Sequence, residues 1–264
     1  MGEKKAVNSP RITLQNILRL ASPQASRMVR GAAARGIDTV LPPMDLFPGL
    51  DPHSGWSEVT FLDEPCCSAC GFPFEFDLGL NALCGRCIAR RPAYDCARAA
   101  FAYNDASRSV VLAFKHGGRT EGLSMFGRQM NRAGRHVLKE ADILIAVPLH
   151  YSRLTRRRYN QSALLARAVS KISGTAVDSH SLLRKRATDS QGGLSFSGRR
   201  RNVSGAFALH PKADIKDKTI VLIDDVFTTG ATLESCARTL RRGGAKTVHG
   251  LTLARVVKGA SLPT

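Results

Sequence analysis

The stretch "IVLIDDVFTTGAT", from Ile220 to Thr232, restricts the fold more than any other in the chain. Its four leading residues are all branched and apolar, the pattern of a strand covered on both faces. Two adjacent aspartates, Asp224 and Asp225, fall where that strand is expected to emerge. Side chains alternate along a strand, so the two carboxyls point to opposite sides and do not form a proton-sharing dyad. Carboxylates at a strand end can accept hydrogen bonds from hydroxyls or hold a hydrated Mg²⁺. Thr228, Thr229, Gly230, Ala231 and Thr232 then lead into the next helix. Small residues there let successive amides and three threonine hydroxyls close around an anion. Acids suited to a sugar diol or a metal, beside a cradle for a phosphate, imply a phosphorylated sugar.

The segments around this motif alternate. "RAAFAYN" reads as a strand, "ASRSVVLAFKHGG" as a helix ending at Gly117 and Gly118, and "EGLSMFGRQMNRAG" as a second helix. "DILIAVPL" is a buried strand closed by Pro148. "NQSALLARAVSKISG" is a helix capped by Asn160 and stopped by Gly174. "AVDSHSLL" is a shorter strand, "TLESCARTLRRGGA" a helix ending at Gly243 and Gly244, and "TVHGLTLARV" the last strand. Apolar strands separated by helices predict an α/β fold: an open, mainly parallel sheet flanked by helices. Ligands of such sheets bind in the crevice at the carboxyl ends of the strands. The run from Arg184 to Arg201 lacks periodicity and reads as a long mobile loop, of a length that signals function or disorder.

Six of the seven cysteines lie between Cys66 and Cys96. Cys67-Ser-Ala-Cys70 and Cys84-Gly-Arg-Cys87 are separated by thirteen residues. Each pair spans a tight knuckle, and two knuckles supply four thiolates to one tetrahedral zinc. Gly71 and Gly85 suit the turns such knuckles need. Cys66 is spare, and Cys96 and Cys236 read as ordinary buried or half-buried thiols. With four sulfur ligands the metal is structural, because no coordination position is left open. The chain therefore divides into 1–60, a helix with an irregular extension; 61–92, a small zinc-binding module; and 93–264, the α/β domain.

A net charge of +18 is concentrated rather than spread. Twelve Lys or Arg face two acids between His150 and Arg201, a field that attracts phosphates, free or along a nucleic-acid backbone. No apolar run approaches the roughly 20 residues that span a bilayer, so membrane insertion is not expected. No signal-peptide segment follows the start, and the expected location is cytoplasmic. The first 35 residues are basic and poor in acids. Within them, Ile12 to Leu20 reads as an amphipathic terminal helix.

"IVLIDDVFTTGAT" closely resembles the signature of the type I phosphoribosyltransferases, which use 5-phospho-α-D-ribose 1-diphosphate (PRPP). Together with "CSACGFPF", "LCGRC", "FKHGG", "VPLHYSRLTRRRYNQ" and "GLSFSGRRRNVSGAF", it occurs in the order found in the ComF family of competence-associated proteins. The resemblance covers roughly residues 61 to 257. It implies a zinc module on a type I phosphoribosyltransferase fold. Asp224 and Asp225 are then expected on the ribose hydroxyls and Thr228 to Thr232 on the 5′-phosphate. Pro148, Leu149, His150 and Arg153 are expected at the diphosphate, with a non-proline cis peptide among them, and Lys115 beside His116 lines the same cleft. Arg156, Arg157, Arg158, Arg199, Arg200 and Arg201 would meet diphosphate or a polynucleotide backbone. The loop from Arg184 to Arg201 corresponds to the hood that closes over PRPP. Implied cofactors are structural zinc and Mg²⁺ with PRPP. Implied partners are single-stranded DNA and a DNA-uptake helicase or other competence proteins. Transfer of phosphoribose to a nitrogen nucleophile is the implied chemistry, against two rivals on the same fold: DNA handling without catalysis, and PRPP sensing. Many relatives carry a further cysteine pair near an "LPP" segment; here "VLPPMDLFPG" has the prolines and no cysteine.

Overall fold

The computed structural model describes residues 59–116, 122–151, 159–187 and 196–257. The expected helix at Ile12 to Leu20 and the "LPP" segment lie outside them. In chain order the elements are helix α1 (Gly85–Ala89), strand β1 (Cys96–Ala102), α2 (Asp105–His116), α3 (Leu123–Lys139), β2 (Ile143–Ala146), α4 (Gln161–Ser173) and β3 (Ala176–Asp178). They continue with β4 (Leu182–Arg184), α5 (Phe196–Val203), β5 (Phe207–Leu209), β6 (Thr219–Phe227), α6 (Ala231–Arg242) and β7 (Thr247–Arg255).

Five strands form one parallel sheet in the order β1-β7-β6-β2-β3. The central strands are buried on both faces, β2 and β6 through unbroken apolar runs and β7 with the polar His249 and Thr252 buried among its apolar residues. Ile220, Val221, Leu222 and Ile223 are fully buried, as are Val248, Leu251 and Leu253. Helices α3 and α4 cover one face of the sheet and α6 covers the other, with Leu233, Ala237 and Leu240 of α6 in one core with Ile220, Leu222 and Val248. At the edge, residues 60–62 run antiparallel to β1, with Leu62 donating to the Ala100 carbonyl and Ala102 to that of Thr60.

Four features depart from the sequence reading. "AVDSHSLL" is two strands, because the Asp178 carboxylate accepts from the amides of His180 and Ser181 at 2.8 and 2.9 Å and turns the chain. Its first half joins the parallel sheet as β3, and its second pairs with β5 in a separate antiparallel ribbon. Helix α3 runs five residues past Gly134 to Lys139. Gly134 is no stop: a Cβ there would lie 2.7 Å from Leu251, so the glycine lets α3 approach the sheet. The stretch from Arg184 to Arg201 contains part of α5 and is not wholly loop. Lastly, β6 runs through both aspartates to Phe227, because the long β7 keeps pairing with it as far as Arg255.

The caps agree with expectation. The Asn160 side chain accepts from the Ser162 amide, and Gly174 closes α4 with φ of 76°. Helix α6 ends at Gly243, with Gly244 following at φ of 91°.

Candidate functional site

The two sides of β6 end at different heights. On the β2 side, pairing stops at Ala146 opposite Ile223, with one further bond from the Val147 amide to the Ile223 carbonyl at 2.9 Å. On the β7 side it continues to Phe227 opposite Arg255. Asp224 and Asp225 therefore stand just beyond the last rung shared with β2, half-buried, while their backbone is still held by the neighbouring strand. Pro148, Leu149 and His150 leave β2 beside them, also half-buried.

Each carboxylate is held locally. Asp224 Oδ1 accepts from the Ser162 hydroxyl at 3.0 Å and from the Asp225 amide at 2.9 Å. Asp225 Oδ1 accepts from the Val226 amide at 2.6 Å. Asn160 links the same corner together: its amide nitrogen donates to the Val147 carbonyl at 3.1 Å while its oxygen caps α4. A single turn of α4 thus ties the end of β2 to Asp224.

After Phe227 the chain turns through Thr228, Thr229 and Gly230 into α6. Gly230 adopts φ of 78°. A Cβ at this position would meet Phe227 Cζ at 2.7 Å and the Tyr94 hydroxyl at 3.3 Å, so glycine is required twice over, by conformation and by space. The Thr229 hydroxyl accepts from the Ala231 amide at 3.3 Å, and no side chain caps the helix at Gly230. Hydroxyls and helix-initiating amides at one turn are the groups that pair with an anion.

Four of the cysteines are also gathered. The sulfur atoms of Cys67, Cys70, Cys84 and Cys87 lie within 4.8 Å of one another, and those of Cys70 and Cys84 are 3.6 Å apart. Sulfur-to-metal bonds of about 2.3 Å in a tetrahedron place the sulfurs close to 3.8 Å apart, so the cluster fits a four-coordinate thiolate site. Cys66 stays outside it. Gly71 has φ of 69° and presses on the Ala97 carbonyl, as a knuckle glycine should. Gly85, in contrast, has no left-handed backbone and simply opens α1. The hydrogen bond between Cys67 and Cys70 draws the Cys67 thiol below its ordinary range and pushes Cys70 above it. Burial pushes Cys87 up to about 12. Such a cluster cannot ionise fully without a cation to neutralise it.

The cysteine segment and the turn before α6 touch directly. Arg86, between two of the four cysteines, donates from Nη1 to the Thr229 carbonyl at 3.1 Å. The Ala93 amide donates to Glu234 Oε2 at 2.6 Å, in the first turn of α6. The buried Arg255 side chain donates to the Cys70 carbonyl and lies over the Phe227 ring at 4.5 Å. Tyr94 meets the same ring edge-on at 6.4 Å, and burial holds its hydroxyl protonated. A cleft of about 180 Å³ opens here between Arg86, Arg90, Tyr94, Thr229 and Glu234.

Other residues singled out in the sequence are less fully placed. Lys115 and His116 form the last turn of α2, and Arg199 and Arg200 lie in α5; the side chains of all four are outside the described set. Arg201 is exposed on α5. Arg153, Arg156, Arg157 and Arg158 are outside the described residues. Among those described, the cis peptide bond is Glu64–Pro65, and no non-proline bond is cis. Sequence reasoning missed Ser162, Arg86, Tyr94, Glu234 and Arg255. All but Tyr94 did stand inside quoted segments: Ser162 two residues after a cap, Arg86 between two cysteines, and Glu234 and Arg255 in the last helix and strand.

The family model described as "Phosphoribosyl transferase domain" matches residues 96–263, which spans the parallel sheet and both aspartates. Curated relatives extend the match into the cysteine segment. "DNA utilization protein YhgH" of Shigella flexneri is 32% identical over 206 residues, 76% of this chain and 88% of that protein. "Competence protein F" of Haemophilus influenzae is 29% identical, covering 72% and 85%. "Competence protein ComFC" of Bacillus subtilis is 29% identical, covering 60% and 63%. The chain belongs to the competence protein F family of phosphoribosyl transferase domain proteins.

Proposed function

We propose that the protein binds Mg-PRPP at the carboxyl ends of β6 and β2 and is a phosphoribosyltransferase acting in DNA uptake. The observation that carries this reading is the step in the sheet. It leaves two half-buried carboxylates beyond the β2 rungs, directly before a left-handed glycine and a hydroxyl-rich helix start. Asp224 and Asp225 accept the ribose 2′- and 3′-hydroxyls, with Ser162 fixing the Asp224 carboxylate. Thr228, Thr229, Gly230, Ala231 and Thr232 hold the 5′-phosphate. Pro148, Leu149 and His150 are proposed at the diphosphate, and the family resemblance adds Arg153 and Lys115 to that role. The donors around this crevice are hard oxygens, which suit Mg²⁺ bound largely through substrate oxygens. What the ion supplies when bound is neutralisation of charge on the leaving diphosphate. A nitrogen nucleophile attacks C1 of the ribose with inversion, the C1–O bond breaks, and diphosphate leaves with the electron pair. The residues of the cleft contribute positioning and electrostatic complementarity.

Zinc is the ion proposed for Cys67, Cys70, Cys84 and Cys87, within a 61–92 module attached to a 93–264 domain. The S₄ donor set is closed, so its role is structural. No helix among the described residues is long and apolar enough to cross a membrane. The proposed location is the cytoplasm, and the proposed partner class is a DNA-uptake helicase or another competence protein.

The second reading is single-stranded DNA held by basic groups. It draws on the names of the relatives and on the exposed Arg201. Arg186 contributes less than the sequence suggests, because its guanidinium is engaged by the Asn202 and Ser204 carbonyls at 3.0 and 2.8 Å. Calorimetric titration of the zinc-loaded protein with PRPP, with and without Mg²⁺, separates the readings. Metal-enhanced saturable binding is the expected result. Its absence, with DNA affinity that collapses as salt rises, favours the second.

A further inference from the structure

We infer that Arg86 is a positioning residue that couples the metal state of the cysteine cluster to the turn from Thr228 to Ala231. In its ligand-binding aspect the inference rests on the reading above; in its mechanical aspect it does not.

Arg86 has little freedom to be elsewhere while the cluster is assembled. It lies in α1, a helix of five residues, with Cys84 at its N-cap and Cys87 buried inside it. Helix α1 is too short to persist alone, so its geometry depends on those sulfurs being held. From there the guanidinium reaches Thr229, 143 positions later in the chain, and donates to its carbonyl. It also lies over the Phe227 ring at 5.9 Å. A second cation over that ring is Arg255, 4.5 Å from its centroid, with Nη1 donating to the carbonyl of Cys70 and Nη2 to its sulfur. Phe227, the last residue of β6, is therefore gripped by two arginines, one carried by each cysteine knuckle or bonded to it. The same ring sets the space that Gly230 must leave empty.

The consequence follows from the polarity of the bond. The carbonyl of Thr229 is bound by Arg86, which orients the peptide linking Thr229 to Gly230. The N–H of Gly230 is part of that rigid unit, and a planar peptide fixes it whenever its carbonyl is fixed. Assembly of the thiolate cluster thereby presets an amide of the turn. A second clamp acts one helical turn on, where the Ala93 amide and Arg90 engage Glu234 at 2.6 and 3.8 Å. Arg86 is solvent-exposed, so its own contribution is that of one partly screened hydrogen bond.

The test uses the full chain and compares wild type, Arg86→Ala and Arg86→Lys for zinc content, amide hydrogen exchange and Mg-PRPP affinity. Arg86→Ala is expected to keep its zinc and to raise exchange of the amides from Thr229 to Ala231 about ten-fold, with β2 and β7 unchanged. Arg86→Lys, which can still donate to the carbonyl, is expected to recover part of the protection. Mg-PRPP affinity is expected to fall about ten-fold in Arg86→Ala. Exchange within two-fold of wild type in a zinc-replete Arg86→Ala protein would overturn the inference. Chelating zinc from the wild-type chain tests the same coupling without a substitution: faster exchange at the turn supports it, and unchanged exchange refutes it. Failure of the wild type to bind Mg-PRPP would refute the ligand reading alone, since the exchange measurement still decides the coupling.

Discussion

The four thiols and the two carboxylates are each brought together by a short local spacing, yet their surroundings differ. Cys67, Cys70 and Cys87 are buried, and the cluster is sealed by neighbours from β1, β6 and β7. Asp224 and Asp225 are half-buried, and their contacts among the described residues include the Ser162 hydroxyl and the Asp225 and Val226 amides. A closed thiolate shell gains from dryness, because four protein sulfurs fill a tetrahedral ion's coordination and leave no position that must admit solvent or substrate. In the proposed site, a carboxylate that accepts a sugar hydroxyl would need the opposite, a fixed position with solvent access. The same molecule therefore uses rigid burial for one cluster and a step in a sheet for the other.

Breaking the first cluster has the largest expected effect. Cys84→Ser with Cys87→Ser removes half the ligands, and metal analysis should show zinc falling from one per chain to none. The thermal midpoint should drop by about 10 °C or more, the shift that a few kcal/mol produces in a domain of this size. Breaking the second should leave stability nearly intact. Asp224→Asn with Asp225→Asn is expected to weaken Mg-PRPP binding by about 100-fold, near 3 kcal/mol, with zinc unchanged. Calorimetry showing unaltered affinity would sink the site assignment.

Two smaller changes sharpen the contrast. Gly230→Ala forces a left-handed alanine against Phe227, and is expected to cost about 1–3 kcal/mol of stability as well as affinity. It should be the substitution that registers in both thermal and binding assays, because Gly230 stands where the two regions meet. Ser162→Ala removes one hydroxyl from Asp224. A loss of about three- to ten-fold in PRPP affinity is expected, with the melting curve nearly unmoved. A large drop in melting temperature would instead make Ser162 a packing residue of α4.

Legibility from sequence followed the range of the interactions involved. Local signals were sound: the cysteine spacing, the Asn160 cap, the Gly174 stop and the apolar run of β6 all concern residues a few positions apart. The continuation of α3 past Gly134 was not legible, because the reason for that glycine is Leu251, more than a hundred residues away. The extension of β6 through Asp224 and Asp225 depends on the length of β7. The division of "AVDSHSLL" was in principle visible, since Asp178 followed by Ser, His and Ser is a turn that the chain can close with its own side chain. Arg86 and Arg255 carried no local sign of their roles. Each is defined by a partner on the other side of the fold.

That separation has a consequence in time. The chain is synthesised from its N-terminus, so all four cysteines leave the ribosome well before the groups that enclose them. Thr229 follows Arg86 by 143 residues, and Arg255 follows Cys70 by 185. At roughly 5–20 residues per second, the thiols wait on the order of ten to thirty seconds before Phe227 and Arg255 exist to cover them. During that interval they are open to oxidation and to the wrong metal, and loading with zinc at this stage would protect them until the last strand arrives.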